Sequence, residues 1–413
     1  MKKLAPVQSV VVRSPAPESI YPGSPGILSL PGGRLIATND FGGPGVEKMP
    51  GEKGVRWGRA ALGRISVSDD GGDTWRAVRD FPFIHARPFY AGGSVYIIGH
   101  CMDLMIMRSD DDGETWSEIS VLSDPGQSWH QAPCNVWHAK GNVYLVMERY
   151  TRKGWAQEIA PVLMRGKETD DLTQRENWAF ASELPFYEAA DVKESHLFGM
   201  PMYDLEEAGG KIGGGRHCAP WGWLETNVVQ ILDPDHIWHD ETGHTFHLFA
   251  RAHTAHTNYA CVMKVVEKED GSMETMLEKT PSGETWLYLP WPGGQMKFHM
   301  LYDEETKTYW LLSTQSTSSM IRPDRLGEER YGLPDNERKR LQLHFSKNCV
   351  DWCFAGLVDM GKEERESRHY ASMCIRGEDL CILSRSGDQE SICAHNCNII
   401  TFHTVKNFRE LIY

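Results

Sequence analysis

A histidine and a glutamate lie at the ends of two neighbouring predicted strands, where they can act together. His130 begins one strand, and an imidazole with a pKa of about 6.5 exchanges protons at neutral pH. Glu148 ends the next strand, where its carboxylate can orient the His130 ring. Trp129 precedes the histidine, and indole faces often stack on sugars. We therefore predict that His130 transfers protons beside a sugar bound against Trp129, with Glu148 in support.

Three more side chains are candidates for substrate binding. Arg385 ends a predicted strand, and its planar fork suits a carboxylate. His395 lies in the loop that follows this strand, and His217 follows the glycines at positions 213–215. Each of the three is predicted to contact the substrate.

Five histidines crowd one region of the chain and raise the question of a metal site. They are His236, His239, His244, His253 and His256. No helical His-x-x-x-His context accompanies them, and the ten cysteines form no Cys-x-x-Cys pair. The sequence therefore predicts no metal and no cofactor, and it predicts cysteines that are buried and reduced.

The charge of the 413-residue chain limits its partners. The net charge is −14 at pH 7 and the pI is about 5.7, which argues against nucleic acid and anionic membranes. No run approaches the ~18 apolar residues of a membrane span. Residues 4–9 lack the apolar core of a signal peptide, so we expect a cytoplasmic protein. Removal of a signal before residue 1 would instead make it periplasmic or secreted.

Two octapeptides share the pattern Ser-x-Asp-x-Gly-x-Thr-Trp. They occupy residues 68–75 and 109–116, and they begin 41 residues apart. Each lies between two short apolar strands, so each reads as a hairpin turn held by its short polar side chains and closed by its Trp. Their spacing indicates a repeating four-stranded unit.

Both octapeptides resemble the Asp-box of the sialidase superfamily. The resemblance implies an all-β fold, a six-bladed β-propeller of four-stranded antiparallel sheets, with the boxes on the rim and away from the active site. Strand patterns recur along the whole chain and no long stretch has helical periodicity, so we predict one propeller domain over residues 1–413.

Three segments have specific places in such a propeller. The strand over residues 9–12 is predicted to complete the last blade and close the ring. The loop over residues 39–57 is rich in Gly and Pro and long for a hairpin, which suggests a functional loop. Residues 151–215 read as a polar insertion with a short helix over residues 204–208.

The same resemblance implies the roles of four residues. Sialidases use a Tyr nucleophile with a Glu as its base, three arginines that hold the substrate carboxylate, and an Asp as general acid and base. The order of Glu225, Arg251, Arg338 and Tyr370 at predicted strand ends resembles the order of the Glu, the second Arg, the third Arg and the Tyr. A phenol with a pKa of about 10 needs such a neighbouring base to attack.

Two features depart from the sialidase pattern. The stretch over residues 21–26, which should carry the first Arg, contains none. The loop that should carry the acid offers only Asp40, Glu47 and Glu52, so His130 is our candidate for this role. The chain is closer to a bacterial sialidase-like group of exo-glycosidases. Its marks here are Trp129-His130 with Pro133, residues 223–227, Lys297-Phe298 with Tyr302-Asp303, and His395-Asn396 with Asn398.

The preferred prediction is an exo-acting glycoside hydrolase, sialidase-like, that acts on an acidic or deoxy sugar terminus. One alternative is a polysaccharide lyase or another enzyme of uronic acids, in which His130, Tyr370 and Arg251 would carry an elimination. The other is a non-catalytic propeller that binds glycans, which the missing Arg favours. In each case the partner is a carbohydrate. The sequence leaves open the sugar, the linkage, the stereochemical outcome and the oligomeric state.

Overall fold

Strands dominate the computed structural model, which describes residues 2–152, 156–190, 222–253, 257–319 and 337–413. Within these ranges the α-helical residues form one short helix, Phe186–Ala189. No helix in the described part of the chain is long and apolar enough to cross a membrane. The strands form six separate antiparallel sheets, each built around four strands.

The first three sheets follow one another in the chain. Blade one contains β2 (Tyr21–Ser29), β3 (Leu35–Gly42), β4 (Gly54–Arg56), β5 (Arg59–Ser68) and β6 (Arg76–Phe81). Blade two contains β7 (Ile84–Ala91), β8 (Ser94–Cys101), β9 (Asp103–Ser109) and β10 (Ser120–Val121). Blade three contains β11 (Ser128–His130), β12 (Trp137–Ala139), β13 (Asn142–Tyr150), β14 (Ile159–Lys167) and β15 (Trp178–Phe180).

The remaining sheets continue this order. Blade four contains β16 (Trp223–Val229), β17 (Thr245–Ala252), β18 (Tyr259–Glu267), β19 (Met273–Lys279), β20 (Thr285–Trp286) and β21 (Tyr288–Pro290). Blade five contains β22 (His299–Asp303), β23 (Thr308–Ser313), β24 (Arg340–Ser346) and β25 (Cys353–Met360). Blade six contains β26 (Arg368–Arg376), β27 (Asp379–Ser386), β28 (Ile399–Val405) and β1 (Ser9–Arg13).

The N-terminal strand joins the last blade. β1 pairs antiparallel with β28, with Ser9 opposite Phe402 and Arg13 opposite Ile399. The two ends of the chain therefore share one sheet, which closes the ring and covers an edge that would otherwise be open. The predicted all-β, six-bladed propeller is confirmed.

The blades pack face to face through buried apolar side chains. Phe89 of blade two meets Trp178 of blade three with ring centroids 6.4 Å apart, and Tyr144 of blade three lies 4.2 Å from Phe246 of blade four. Such contacts recur around the ring because alternate residues of each strand point to opposite faces of its sheet. The apolar core is thus a ring of interfaces between neighbouring blades.

The octapeptides form the turns that their residue types predict. In the first, the Ser68 hydroxyl accepts a hydrogen bond from the Gly72 amide (2.8 Å), and Asp70 accepts bonds from the Thr74 amide and hydroxyl. The Trp75 ring packs against Phe402 of blade six at 5.4 Å. Residues 109–116 repeat the same bonds. Both turns therefore fasten strands on the outer side of their blades.

The loop predicted over residues 39–57 begins later than predicted, because residues 39–42 belong to β3. It contains β4, which pairs with β5 as a hairpin. The polar insertion predicted over residues 151–215 is wrong for residues 159–167 and 178–180, which form β14 and β15 of blade three. The structure describes residues 151–152 and 156–190 of the predicted insertion. Its predicted helix over residues 204–208 lies outside the described residues.

Candidate active site

Four of the innermost strands carry a bulge at the same place. The register shifts between residues 23 and 26 of β2, 84 and 87 of β7, 224 and 227 of β16, and 369 and 372 of β26. In each bulge two residues of the innermost strand face one residue of its partner. The first of the two has a left-handed backbone; these residues are Ser24, His85, Glu225 and Tyr370 (φ 45°, 56°, 60° and 50°). Bulges re-aim side chains and collect near active sites. Glu225 and Tyr370 are thus presented from equivalent positions in different blades.

Arg251 joins these two residues. Its Nη1 donates to Glu225 Oε2 (3.0 Å) and to the Tyr370 hydroxyl (2.9 Å), and its Nε donates to the Gln295 carbonyl (2.8 Å). The pairing of Arg251 with Leu224 across β16 and β17 places it beside Glu225. Arg251 and Glu225 are buried and Tyr370 is partly accessible. Three of the sequence-predicted residues therefore meet in one hydrogen-bonded group.

The electrostatic setting keeps the Tyr370 phenol protonated. Burial raises the pKa of Tyr370 to about 12, and the Glu225 carboxylate and its hydrogen bond to the phenol act in the same direction. The positive charges of Arg251 and Arg338 oppose this rise. A neutral phenol beside a carboxylate can pass its proton to that carboxylate as it attacks.

Two more arginines flank the ring of Tyr370. The guanidinium carbons of Arg338 and Arg385 each lie 5.6 Å from its centroid. Arg338 Nη1 donates to His369 Nδ1 (2.9 Å), and Arg385 Nη2 donates to the His395 carbonyl. Burial lowers the pKa of Arg338 to about 10, so it stays charged at neutral pH. With Arg251, these arginines form a cationic wall around the phenol.

Arg385 lies beside a glycine of β2. A Cβ built on Gly23 would lie 3.7 Å from the Arg385 guanidinium carbon and 3.0 Å from Asp40 Oδ1. Gly23 lies in the stretch that lacks the expected first Arg. The guanidinium beside Gly23 is therefore that of Arg385, from β27 of blade six. The expected first Arg would have come from β2 of blade one.

Asp40 is a buried carboxyl next to this arginine. Burial raises its pKa, and a hydrogen bond from the His85 amide to Oδ2 (3.0 Å) and the charge of Arg385 partly offset the rise. Asp40 lies near the end of β3, and the pairing of β2 with β3 places it opposite Gly23. Its environment favours a protonated carboxyl at higher pH than usual.

His130 is held by Glu148. Its Nδ1–H donates to Glu148 Oε2 (2.8 Å), while the Thr226 amide (3.1 Å) and hydroxyl (3.0 Å) donate to Glu148 Oε1. Glu148 is fully buried, so its carboxylate orients the ring rather than reaching a ligand. Thr226 follows Glu225 in β16. This strand therefore joins the pair of His130 and Glu148 to the group formed by Arg251, Glu225 and Tyr370.

A second pair of histidines lies beside His130. The rings of His85 and His100 share a hydrogen bond of 3.0 Å and lie 5.4 and 5.8 Å from the His130 ring. Burial lowers the pKa of both His85 and His100 well below the usual range, so both are neutral at neutral pH. His85 and His100 therefore offer uncharged nitrogen atoms on this side of the site, close enough to Arg56 to feel its charge.

A buried lysine supports the bulge that carries Tyr370. Lys297 Nζ donates to the Ala371 carbonyl (2.5 Å) and to the Ser372 hydroxyl (3.1 Å). Burial lowers the pKa of Lys297 to about 8. The lysine therefore ties the left-handed backbone at Tyr370 to the centre of the ring.

Not every predicted residue reaches this site. Trp129 is buried in the core against Phe180, on the face of β11 opposite to His130, so its predicted stacking on sugar is wrong for this position. The His395 ring bonds with Asn396 (2.7 Å), and its carbonyl accepts a hydrogen bond from Arg385. Burial and the charges of Arg385 and Arg338 lower its pKa, so His395 lies among the arginines as a neutral imidazole. His217 lies outside the described residues.

Sequence reasoning missed His85, and it named Asp40 and Lys297 without giving either a role in the site. An alignment of the innermost strands would have pointed to His85, because Ser24, His85, Glu225 and Tyr370 occupy the same position of the bulge. The roles of Asp40 and Lys297 depend on their three-dimensional neighbours.

The histidine-rich region of blade four does not form a metal centre in the described part of the chain, where no group of three or more His, Cys, Asp or Glu is placed to hold a metal ion. His247 donates to Glu278 (2.7 Å) and His244 to Glu267 (3.1 Å), as hydrogen-bonded pairs. His256 lies outside the described residues.

No protein-family model matches the sequence, and no curated protein matches it. Solved structures do resemble the fold. A Hadza microbial sialidase, Hz136, has a TM-score of 0.56 at 15% identity over 94% of this chain and 66% of its own. A Penicillium chrysogenum α-L-arabinanase complexed with arabinobiose has a TM-score of 0.54 at 11% identity over 99% of both chains.

A Trypanosoma rangeli sialidase in complex with the inhibitor DANA has a TM-score of 0.53 at 12% identity over 95% of this chain and 56% of its own. The present chain thus spans about two thirds or less of the two sialidases but almost all of the arabinanase. At these identities the likeness is one of fold, the six-bladed propeller.

Proposed function

We propose that the protein is an exo-acting glycoside hydrolase that removes an anionic sugar from the end of a glycan. The observation that carries this proposal is the double hydrogen bond from Arg251 to Glu225 and Tyr370. It brings a nucleophile, its base and a cation together from two blades. Sialidase and arabinanase structures with the same fold support a sugar substrate.

Tyr370 is the nucleophile in this proposal. Its hydroxyl proton passes to the Glu225 carboxylate while the phenol oxygen forms a bond to the anomeric carbon. Arg251, which donates to the same oxygen, stabilises the negative charge that develops on it. The bond from the anomeric carbon to the leaving oxygen breaks, and a covalent glycosyl–tyrosine results.

Asp40 is the proton donor to the leaving oxygen. Its raised pKa keeps the proton that this step needs, and the same carboxylate, once deprotonated, activates the water that releases the sugar. His130 is the second candidate for this role, because Glu148 orients its ring. When water displaces the phenol, Glu225 returns the proton to Tyr370 and the site is restored.

Arg251, Arg338 and Arg385 specify the anionic group. Three guanidinium groups surround one phenol, and the Glu225 carboxylate pairs with Arg251. A carboxylate on the sugar would bind such guanidinium groups through bidentate bonds. An acidic sugar is therefore the favoured substrate, and a neutral arabinose-type sugar is less suited to this wall.

The test is turnover by Tyr370→Phe and Glu225→Gln on a panel of sialyl, uronyl and arabinosyl glycosides. Each variant is expected to lose at least roughly 100-fold in kcat with its melting temperature retained. Tyr302→Phe, at the other end of the innermost strands, is the matched control and keeps full activity. Full activity in either site variant would remove the assigned role.

One observation favours the alternative function, a lyase that acts on uronic acids. His85 is neutral and lies beside the buried Asp40, and an uncharged imidazole is a competent base for elimination. An unsaturated product that absorbs ultraviolet light would identify the lyase, whereas a hydrolase yields a saturated sugar. Binding of the same panel without any product would identify a glycan-binding protein.

A further inference from the structure

A tryptophan stands at the tip of the hairpin formed by β4 and β5. Trp57 and Gly58 form its two-residue turn, and both have left-handed backbones (φ 49° and 74°). Such a turn favours Asn-Gly, and a bulky residue in this conformation is strained. Trp57 is nevertheless 52% exposed, so burial of its ring does not offset the strain. Strain of this kind collects where side chains are needed for function.

The hairpin crosses from blade one towards blade three. A Cβ on Gly54 would lie 2.1 Å from the Pro82 carbonyl oxygen and 2.5 Å from Cys101 Sγ, which shows how closely the hairpin lies on blade two. At its tip, Trp57 meets Tyr150 edge to face, with ring centroids 5.5 Å apart. Tyr150 in turn lies 6.0 Å from the His130 ring. Trp57 therefore borders the histidine side of the candidate site.

Arg56 fixes one face of the indole. Its guanidinium carbon lies 3.9 Å from the centroid of the Trp57 ring, a cation–π contact. The Arg56 charge also acts on the pKa of Asp40 and of His85, so this residue connects the tip to the proton-transfer groups. Arg56 covers one face of the indole, while half of the Trp57 residue stays exposed and within reach of a ligand.

From this we infer that Trp57 is a stacking platform for the second sugar of the substrate, on the leaving-group side of the scissile bond. The inference rests on the proposed function, in which Tyr370 and the three arginines hold the terminal acidic sugar. Trp57 lies at the opposite side of the site, past His130 and Tyr150, where the next ring of the glycan would lie. An exposed indole face suits the apolar face of a sugar ring. The substrate class is thus an acidic oligosaccharide of at least two units.

The test measures binding in the Tyr370→Phe background, so that ligand is not consumed. Calorimetry compares sialyllactose with sialic acid, and digalacturonic acid with galacturonic acid. The parent is expected to bind one of these oligosaccharides at least 10-fold more tightly than its terminal monosaccharide. Adding Trp57→Ala should abolish this difference and leave the monosaccharide affinity within twofold. Val55→Ala, an exposed change on the same hairpin, is the matched control and should keep the difference.

The possible failures can be told apart. Equal losses for oligosaccharide and monosaccharide in Trp57→Ala, or no loss for either, would overturn the platform and leave the proposed function in place. Failure of every acidic sugar to bind the parent would overturn the proposed function, and the platform with it. Trp57→Phe, which keeps a smaller aromatic face, should restore part of the preference if stacking is the cause.

Discussion

Glu225 and Tyr370 occupy the same position in two blades that are far apart in the chain: each is the first residue of the bulge in its innermost strand, with φ values of 60° and 50°. A left-handed backbone at such residues costs about 1–2 kcal/mol each. Bonds from Thr226 to Glu148 and from Lys297 to Ala371 hold the adjacent residues in place. The strained pair thus presents a base and a phenol to one arginine.

This relationship predicts that the charge of Glu225 controls the phenol. Glu225→Gln removes a negative charge and should lower the pKa of Tyr370 from about 12 towards the usual value of about 10. Arg251→Gln removes a positive charge and should raise it. Ultraviolet difference titration, with Tyr370→Phe subtracted to isolate this phenol, measures both shifts. Unchanged titration in Glu225→Gln would contradict the pairing.

Arg385 is predicted to hold the anionic group of the substrate. Arg385→Lys keeps the charge but loses the planar fork, so KM for an acidic glycoside should rise roughly 10- to 100-fold with a smaller change in kcat. Arg365→Lys, an exposed change in the loop before β26, is the matched control. A KM that stays the same in Arg385→Lys would place the anion elsewhere.

The raised pKa of Asp40 predicts how kcat changes with pH. A carboxyl whose pKa is raised by burial serves as an acid below that pKa, so kcat should fall as the pH rises through it. Asp40→Asn should remove this limb and depress the rate most for glycosides with poor leaving groups. Glu47→Gln changes an exposed carboxylate shortly after β3 and should leave the profile intact. His130→Gln tests the competing candidate, and loss of the limb there instead would transfer the role to His130.

Gly23 is predicted to be required as a glycine. In Gly23→Ala the new methyl would lie 3.0 Å from Asp40 Oδ1, so the Asp40 carboxyl must shift, and it would lie in ordinary contact with the Arg385 guanidinium at 3.7 Å. Activity should fall by roughly 10-fold or more, since small displacements of catalytic groups are costly. Gly32→Ala is the matched control, because a Cβ there meets nothing within 4 Å. Equal kcat/KM values for the two variants would argue against a catalytic role for the Asp40 carboxyl that lies against Gly23.

The lowered pKa of Lys297 predicts that the free energy of unfolding changes with pH. Its folded-state pKa is about 8, below the unfolded value of about 10.4, so the unfolded chain binds more protons between these values. The contribution of Lys297 to the free energy of unfolding should therefore increase as the pH rises through this window. Lys297→Met should remove the increase, which denaturant titrations at pH 7 and pH 9.5 would detect. The variant should also lose activity, because the bulge at Tyr370 loses its anchor.

Much of the architecture could be predicted from local patterns. The octapeptides at residues 68–75 and 109–116 carry the hydrogen-bonding groups that close their own turns, so their sequence indicates a hairpin without further information. The closing strand over residues 9–12 follows from the need of a propeller to cover its edges. The role of Trp129, by contrast, depends on its tertiary neighbours. Its residue type suggests a platform for a sugar, but it lies on the face of β11 that packs into the core.

The sequence by itself determined the repeating blades, the ring they form and the chain order of Glu225, Arg251, Arg338 and Tyr370, because turns and strand alternation are encoded locally. Only the tertiary structure decided that Arg251 bridges Glu225 and Tyr370, that Arg385 lies beside Gly23, and that Asp40 is buried next to it. A bulge or a register shift of one residue turns a side chain to the other face of a strand. The convergence of distant residues at the centre therefore depends on the packing of all six blades together.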